Sequence, residues 1–99
     1  MAIDTDLELL DEVKLKHSKK YKVIMLNDNY TSMDFVVDVL MSIFHKTYDE
    51  AKDIMLEIHN KDKAVCGIYT YEIAETKVMQ VARKAKESEF PLKTIMEEE

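Results

Sequence analysis

The sequence predicts a small α+β domain, a β-α-α-β-α-β sandwich in which three helices cover one face of a three-stranded antiparallel sheet. Short runs rich in β-branched and aromatic residues alternate with longer segments whose apolar residues recur at helical spacing. Turn-forming and helix-capping residues separate these segments. Because the chain has 99 residues, we expect one domain with a single core.

The first half of the chain is predicted to hold one strand and two helices. Residues 21–26 (YKVIML) form a strand that stops at a cluster of Asn and Asp. The first helix begins at Thr31, which has capping-box spacing to an acid three residues on, or at Ser32. Thr47 and Glu50 form a capping box for the second helix, and the very short connection predicts a helical hairpin. The two apolar helix faces consist of Phe35, Val36, Val39, Leu40, Ile43 and Phe44, and then of Ala51, Ile54, Met55 and Ile58.

The second half of the chain is predicted to hold two strands and one helix. Residues 64–69 (AVCGIY) form the second strand, in which Gly67 indicates a bulge or a close backbone approach. A third helix runs over about residues 71–89, and Pro91 prevents its continuation. Residues 92–96 form a short third strand. The expected core-facing residues of the third helix are Ile73, Ala74, Val78, Val81, Ala82 and Ala85.

Both ends of the chain are predicted to lie outside this folded domain of residues 21–96. Residues 1–20 show no sustained periodicity, and acids surround their few leucines, so we expect a flexible N-terminal extension. Residues 97–99 are three glutamates, which predict a solvated acidic tail.

Composition and charge exclude several classes of function. The net charge of −6 argues against a nucleic-acid partner, and the short basic stretch of residues 14–22 is interpreted as a solvated junction. No apolar run approaches the roughly 20 residues of a membrane span, and the acidic start lacks the features of a signal peptide. We therefore expect a cytoplasmic protein that does not bind membranes.

Catalytic and metal chemistry are not predicted. Cys66 is the single cysteine, and no Cys/His spacing suggests a zinc site, so no metal or other cofactor is expected. No Ser/His/Asp order or Gly-rich phosphate loop is present, and Cys66 in a strand is interpreted as a core residue. A small hydrolase that uses His59 or Cys66 is a minor alternative.

The stretch MLNDNYTSMDF places three polar residues, 27–29, directly after the first strand. The simpler interpretation is turn formation followed by helix capping. However, Met55, Ile58 and His59 occupy adjoining positions on one face of the second helix. If that helix packs beside the loop, these residues would form a pocket with an apolar floor and a polar rim.

The runs YKVIMLNDNYTSMDFVVDVL and AKDIMLEIHNKDKAVCGIYTYEIAETKV resemble the bacterial ClpS adaptors of the N-end rule pathway. The resemblance covers about residues 21–95, with the loop, an M-L-x-h-H element (h apolar), the CGIYT strand and the AETKV helix in the family's order. It implies a monomeric, non-catalytic adaptor for proteins with N-terminal Leu, Phe, Tyr or Trp, known as N-degrons. Such an adaptor delivers them to a ClpA-like or ClpC-like AAA+ unfoldase coupled to the ClpP protease and modulates the unfoldase's choice of substrate.

The resemblance also assigns individual residues. The contacts to the α-amino group fall on Asn27, Asp28 and His59. The hydrophobic pocket falls on Thr31, Met33, Val36, Met55, Ile58 and Leu92. The surface that docks the unfoldase falls on Glu72, Glu75 and Lys77, and the N-terminal extension would engage the unfoldase.

This chain departs from the family pattern near the implied pocket. Many relatives have a second Asp where this chain has Asn29, which lowers the negative charge but keeps an acceptor. Many have Pro where this chain has Ser32, so the preset helix entry is lost. Ile58, where a relative has Val, would narrow the slot, and Met33 is a candidate gatekeeper against side chains branched at Cβ.

A different class of function remains open. The predicted fold also resembles the C-terminal domain of the ribosomal stalk protein L7/L12, which docks factors through its helix surfaces. Such a protein-interaction module would have no degron pocket and would be sensitive to a helix-surface change such as Lys77→Glu.

Overall fold

Six elements follow one another in the order that the sequence predicts, and they form the expected α+β fold. The computed structural model describes residues 19–99, so the predicted N-terminal extension lies outside the described residues except for its last two. The elements are β1 (Lys20–Leu26), α1 (Met33–Ser42), α2 (Tyr48–Lys61), β2 (Lys63–Thr70), α3 (Tyr71–Glu87) and β3 (Lys93–Glu98).

The sheet has the strand order β2-β1-β3, and both neighbours run antiparallel to the central strand β1. The register with β2 shifts between Val23, which faces Gly67, and Ile24, which faces Val65. Cys66 is thus an extra residue in β2, and the predicted bulge is confirmed. A Cβ atom on Gly67 would lie 2.6 Å from two ring carbons of Tyr69, so glycine leaves room for that ring.

The core lies between one face of the sheet and the three helices. Val23 and Met25 point from the central strand into this core and are fully buried. The third helix presents a narrower apolar face than predicted, because Ile73 and Ala82 are exposed. The buried core cluster consists of Val23, Met25, Val36, Val39, Leu40, Ile43, Phe44, Ala51, Ile58, Ala64, Cys66, Ala74, Val81, Ala85 and Leu92.

The structure confirms the predicted capping box of α2 and shows which residue caps α1. Thr47 and Glu50 form the predicted capping box, with both side-chain hydrogen bonds present. Ser32 caps α1, since its hydroxyl accepts a hydrogen bond from the Phe35 N–H at 3.1 Å. Thr31 is not the cap because its hydroxyl is bonded to Asp28.

The third strand continues into the segment predicted to be a solvated tail. Glu97 and Glu98 remain exposed but pair with Lys22 and Tyr21 of β1. The Glu99 N–H then donates to the Lys20 carbonyl at 2.9 Å. The tail prediction is therefore wrong for the backbone, because the central strand offers these residues hydrogen-bonding partners.

Candidate functional site

A backbone hydrogen bond joins the loop after β1 to the end of α2. The Asn27 N–H donates to the Asp62 carbonyl at 2.8 Å. Asp62 is the C-cap of α2 and has a left-handed conformation with φ 69°, which ends the helix. His59 lies in the last turn of the same helix, so this bond brings the loop and His59 to one side of the molecule.

Asp28 organises the loop. Its Oδ1 accepts hydrogen bonds from the N–H groups of Tyr30 at 2.8 Å and Thr31 at 2.6 Å, and its Oδ2 accepts from the Thr31 hydroxyl at 2.7 Å. Burial raises the pKa of the Asp28 carboxyl, but these hydrogen bonds outweigh burial and hold the pKa below its usual value. Asp28 is therefore ionised at neutral pH, and Oδ2 keeps capacity for another donor.

A cavity of about 250 Å³ opens between this loop, the start of α1 and the second half of α2. This volume suits one side chain and its neighbouring group, since sites for drug-sized ligands take roughly 300–1,000 Å³. Apart from Leu92, every residue that the resemblance assigns to the amine contacts or to the hydrophobic pocket lines it. The lining residues are Asn27, Asp28, Asn29, Thr31, Met33, Val36, Met55, Ile58 and His59.

The cavity has an apolar interior beside a polar rim. Val36 and Ile58 are buried and Met55 is half-buried, whereas the Met33 side chain is 49% exposed. Within residues 19–99, no hydrogen bond engages the side chains of Asn27 or His59. The amide oxygen and an imidazole nitrogen thus remain available next to the ionised Asp28. Such an arrangement suits a ligand that carries a cation directly beside an apolar group.

Leu92 and Asn29 need separate mention. Leu92, which the resemblance assigns to the hydrophobic pocket, belongs to the buried core cluster and is not among the residues that line the cavity. Asn29, which the sequence places near the implied pocket without assigning it a contact, lines the cavity. Its position in the same polar loop is the signal that indicates it.

The residues assigned to unfoldase docking lie on α3, which contributes no lining residue to the cavity. Glu72 and Glu75 are exposed, and the Tyr71 hydroxyl donates to the Glu75 carboxylate, which raises the Tyr71 pKa. The Lys77 ammonium donates to the Ile43 carbonyl at 2.6 Å. Lys77 therefore joins α3 to the end of α1 as well as presenting a charge.

The described residues offer little support for a hydrolase. Burial raises the pKa of the Cys66 thiol to about 12, and its side chain is almost fully buried. A thiol with such a pKa is not a nucleophile at neutral pH. Within residues 19–99, no group of His, Cys, Asp or Glu is arranged to hold a metal ion.

The helices of this described part are also too short or too polar to cross a membrane.

The hydrogen bonds to Asp28 predict how Thr31→Val changes the pH dependence of stability. The lowered pKa means that ionised Asp28 stabilises the fold above about pH 3.9, its value in an unfolded chain, and that this stabilisation is lost as pH falls through the folded-state pKa. Removal of the Thr31 hydroxyl raises that pKa, so the stability lost between neutral and acidic pH should shrink. Denaturant unfolding at several pH values and NMR titration of the Asp28 carboxyl measure both effects.

Ser32→Ala is the matched control for this prediction. It removes a helix cap at the neighbouring position, which costs about 1 kcal/mol. Because no charge is involved, that cost should be similar at every pH. A Thr31→Val protein with an unchanged Asp28 titration would contradict the prediction.

The sequence and the fold of this chain are similar to those of known proteins. A family model described as "ATP-dependent Clp protease adaptor protein ClpS" matches residues 16–95. The ATP-dependent Clp protease adapter protein ClpS of Wolinella succinogenes is 54% identical over 95 residues, covering 96% of this chain and 93% of that relative. Its counterpart from Acetivibrio thermocellus is 54% identical over 99 residues, covering 100% of both chains. A solved structure of Agrobacterium tumefaciens ClpS2 bound to L-phenylalaninamide has a TM-score of 0.79 and 38% identity, over 82% of this chain and 98% of that one.

Proposed function

The chain belongs to the ClpS family of Clp protease adaptor proteins, and on that premise we propose that it binds proteins whose first residue is Leu, Phe, Tyr or Trp and delivers them for degradation. The recipient is a ClpA-like or ClpC-like AAA+ unfoldase of the Clp protease, and binding modulates its choice of substrate. The observation that carries the proposal is the cavity in which hydrogen-bond acceptors adjoin an apolar slot.

The rim of the cavity recognises the free α-amino group of the substrate. This group has a pKa near 8, so at pH 7 it is mostly an ammonium with three donors. Its acceptors are the Asn27 amide oxygen, the Asp28 Oδ2 atom (directly or through water) and one imidazole nitrogen of His59. Each charge-assisted hydrogen bond contributes about 1.5–3 kcal/mol. An internal peptide bond offers one N–H and no charge, so it is rejected.

The interior of the cavity accepts the first side chain. Burial of a Leu or Phe side chain against Val36, Met55 and Ile58 contributes about 1.5–3 kcal/mol. Met33 stands at the exposed edge of the cavity, where a side chain branched at Cβ would collide with it. The relative from Agrobacterium tumefaciens was solved with L-phenylalaninamide, which carries both a free amine and a benzyl side chain. That ligand chemistry supports the same mode of recognition here.

Delivery uses a second surface. We place unfoldase docking on α3, at Glu72, Glu75 and Lys77, and assign residues 1–18 to engagement of the unfoldase. Docking through α3 leaves the cavity accessible, because its lining comes from the loop, α1 and α2. In this proposal the protein is a non-catalytic, cofactor-free monomer of the cytoplasm. A helix-surface module without a degron pocket would leave the cavity unexplained.

The decisive test is a binding series with peptides that differ only in their first residue. Fluorescence anisotropy should give dissociation constants near micromolar or tighter for Leu, Phe, Tyr and Trp, about −8 to −10 kcal/mol. Ile and Val should bind at least about tenfold more weakly, a loss of 1.4 kcal/mol. The matched control is the Phe peptide with an acetylated N-terminus. Equal binding of the acetylated and free peptides would overturn the proposal.

A further inference from the structure

The ring of Tyr69 lies against the backbone of Gly67, two residues earlier in β2. A Cβ atom on Gly67 would lie 2.6 Å from two carbons of this ring, so the ring occupies the space that a side chain would take. The centroid of the same ring is 6.5 Å from that of the buried Phe44 ring. Tyr69 is half-buried and packs against the core cluster beneath the helices. The missing side chain at position 67 and the neighbouring aromatic ring therefore fix how the Tyr69 ring lies.

The ammonium of Lys77 lies over this ring. Its Nζ atom is 5.8 Å from the ring centroid, within the roughly 6 Å over which an aromatic face attracts a cation. Burial raises the pKa of the Tyr69 hydroxyl, so the side chain is neutral at pH 7 and the attraction comes from the ring face. The same Nζ donates a hydrogen bond to the Ile43 carbonyl at 2.6 Å. Contacts from β2 and from the end of α1 thus hold the ammonium in one place.

The side chain of Lys77 borders a groove between the end of α1 and α3. The groove has a volume of about 440 Å³, and Ile43, Gln80 and Arg83 also line it. An ammonium has three donors, and the Ile43 carbonyl takes one of them. Among residues 19–99, nothing else forms a hydrogen bond with this ammonium. Two donors therefore remain for an acceptor that another protein places in the groove.

We propose that Tyr69 is a positioning residue for docking of the unfoldase, because its ring holds the Lys77 ammonium at the edge of this groove. The role of Tyr69 rests on the proposed function, which places Lys77 on the docking surface. A lysine side chain that is free in solution has many rotamers and loses conformational entropy when a partner fixes it. Contact with the Tyr69 ring restricts the side chain before the unfoldase arrives, so less entropy is lost on docking.

Removal of the aromatic face tests this role in the absence of any partner. Tyr69→Leu keeps an apolar side chain but takes the face away, whereas Tyr69→Phe keeps the face and removes only the hydroxyl. NMR relaxation of the Lys77 side chain should show greater mobility in the Tyr69→Leu protein and unchanged mobility in the Tyr69→Phe protein. Binding of a Leu-starting peptide should be the same in all three proteins and reports that they are folded, because Tyr69 does not line the cavity between the loop, α1 and α2.

The effect on docking is measured by surface plasmon resonance with a ClpA-like or a ClpC-like unfoldase immobilised. Lys77→Ala should weaken docking by about tenfold or more, since it removes a charged donor. Tyr69→Leu should weaken it by about three- to tenfold, and Tyr69→Phe by less than about twofold. Gly67→Ala is an independent variant, because its Cβ displaces the ring without removing it and should cause a loss like that of Tyr69→Leu.

A double-mutant cycle separates positioning from a general effect on the fold. Because Tyr69 acts through the ammonium, Tyr69→Leu should cost almost nothing further once Lys77→Ala is present. If Tyr69→Leu weakened docking equally with and without Lys77→Ala, Tyr69 would not be a positioning residue.

Two other results would overturn the role of Tyr69 while the docking surface stands. Lys77 could be as immobile in the Tyr69→Leu protein as in the unaltered protein, or Tyr69→Phe could weaken docking as much as Tyr69→Leu. A different pair of results would overturn the proposed docking surface itself, and the role of Tyr69 with it. These are failure of both unfoldases to bind the unaltered protein, and unchanged docking of the Lys77→Ala protein.

Discussion

Replacement of Asn27 by Ala and Asp28 by Asn in one protein is expected to weaken binding of a Phe-starting peptide by about a hundredfold or more. The change removes one of the acceptors that we propose for the ammonium, Asn27, and neutralises another, Asp28; both residues line the cavity. Each charge-assisted hydrogen bond contributes about 1.5–3 kcal/mol, and 1.4 kcal/mol corresponds to a tenfold change in affinity. Fluorescence anisotropy with the free and acetylated peptides measures the loss.

The choice of Asn at position 28 separates charge from loop structure. Asn keeps a carbonyl oxygen that can accept from the N–H groups of Tyr30 and Thr31, so the loop should retain its shape. Asp34→Asn is the matched control, because this exposed acid in the first turn of α1 does not line the cavity. Its effect should stay below about threefold, since exposed charges are well screened. Equal losses in the two proteins would show that general charge, and not the amine contact, governs binding.

Leu40→Ala is expected to lower the free energy of unfolding by about 2–5 kcal/mol. Leu40 is fully buried in α1, so its truncation leaves a cavity among the core side chains. Because domains of this kind are stabilised by only about 5–15 kcal/mol, the loss is a large fraction of the total. Denaturant unfolding followed by circular dichroism measures it.

Leu56→Ala is the matched control for the core prediction. The Leu56 side chain is 41% exposed on α2, so the same truncation should cost well under half as much. Peptide affinity of the Leu40→Ala protein should change little at temperatures where it remains folded, since Leu40 does not line the cavity between the loop, α1 and α2. Similar unfolding free energies for both variants would contradict the assigned core.

Local patterns in the sequence determined the identity and order of the elements. The helical spacing of apolar residues and the Thr47–Glu50 capping box act within a few residues of chain, so they can be identified without a structure. The bulge at Gly67 is likewise indicated by a single residue inside a strand pattern. Helical spacing also placed Met55, Ile58 and His59 on one face of α2 and indicated a pocket beside the loop, whereas the roles of individual residues were assigned from resemblance to a family.

The available hydrogen-bonding partners decided which residue caps α1 and how far β3 extends, two details that local sequence patterns left open. Thr31 and Ser32 are both capping residues, and Ser32 took the role because the Thr31 hydroxyl found a nearby carboxylate in Asp28. Glu97 and Glu98 joined β3 because the unpaired edge of β1 satisfied their backbone groups. Which residues of α3 face solvent depends on how the helix is rotated against the sheet. The sequence pattern predicted this rotation only partly, because Ile73 and Ala82 were expected to face the core and are exposed.

The amino-acid sequence by itself determined the set of helices and strands and supplied polar and apolar residues suited to a binding site. Only the tertiary structure brought Asn27 and His59 to one cavity, because a bond from a loop to the end of a distant helix fixes their relative position. The same packing buried Leu92 in the core and left Val65 and Ile68 of β2 exposed. The spacing of residues along the chain determines local hydrogen bonds. The relative position of residues from distant elements depends instead on which apolar surfaces pack together and exclude water.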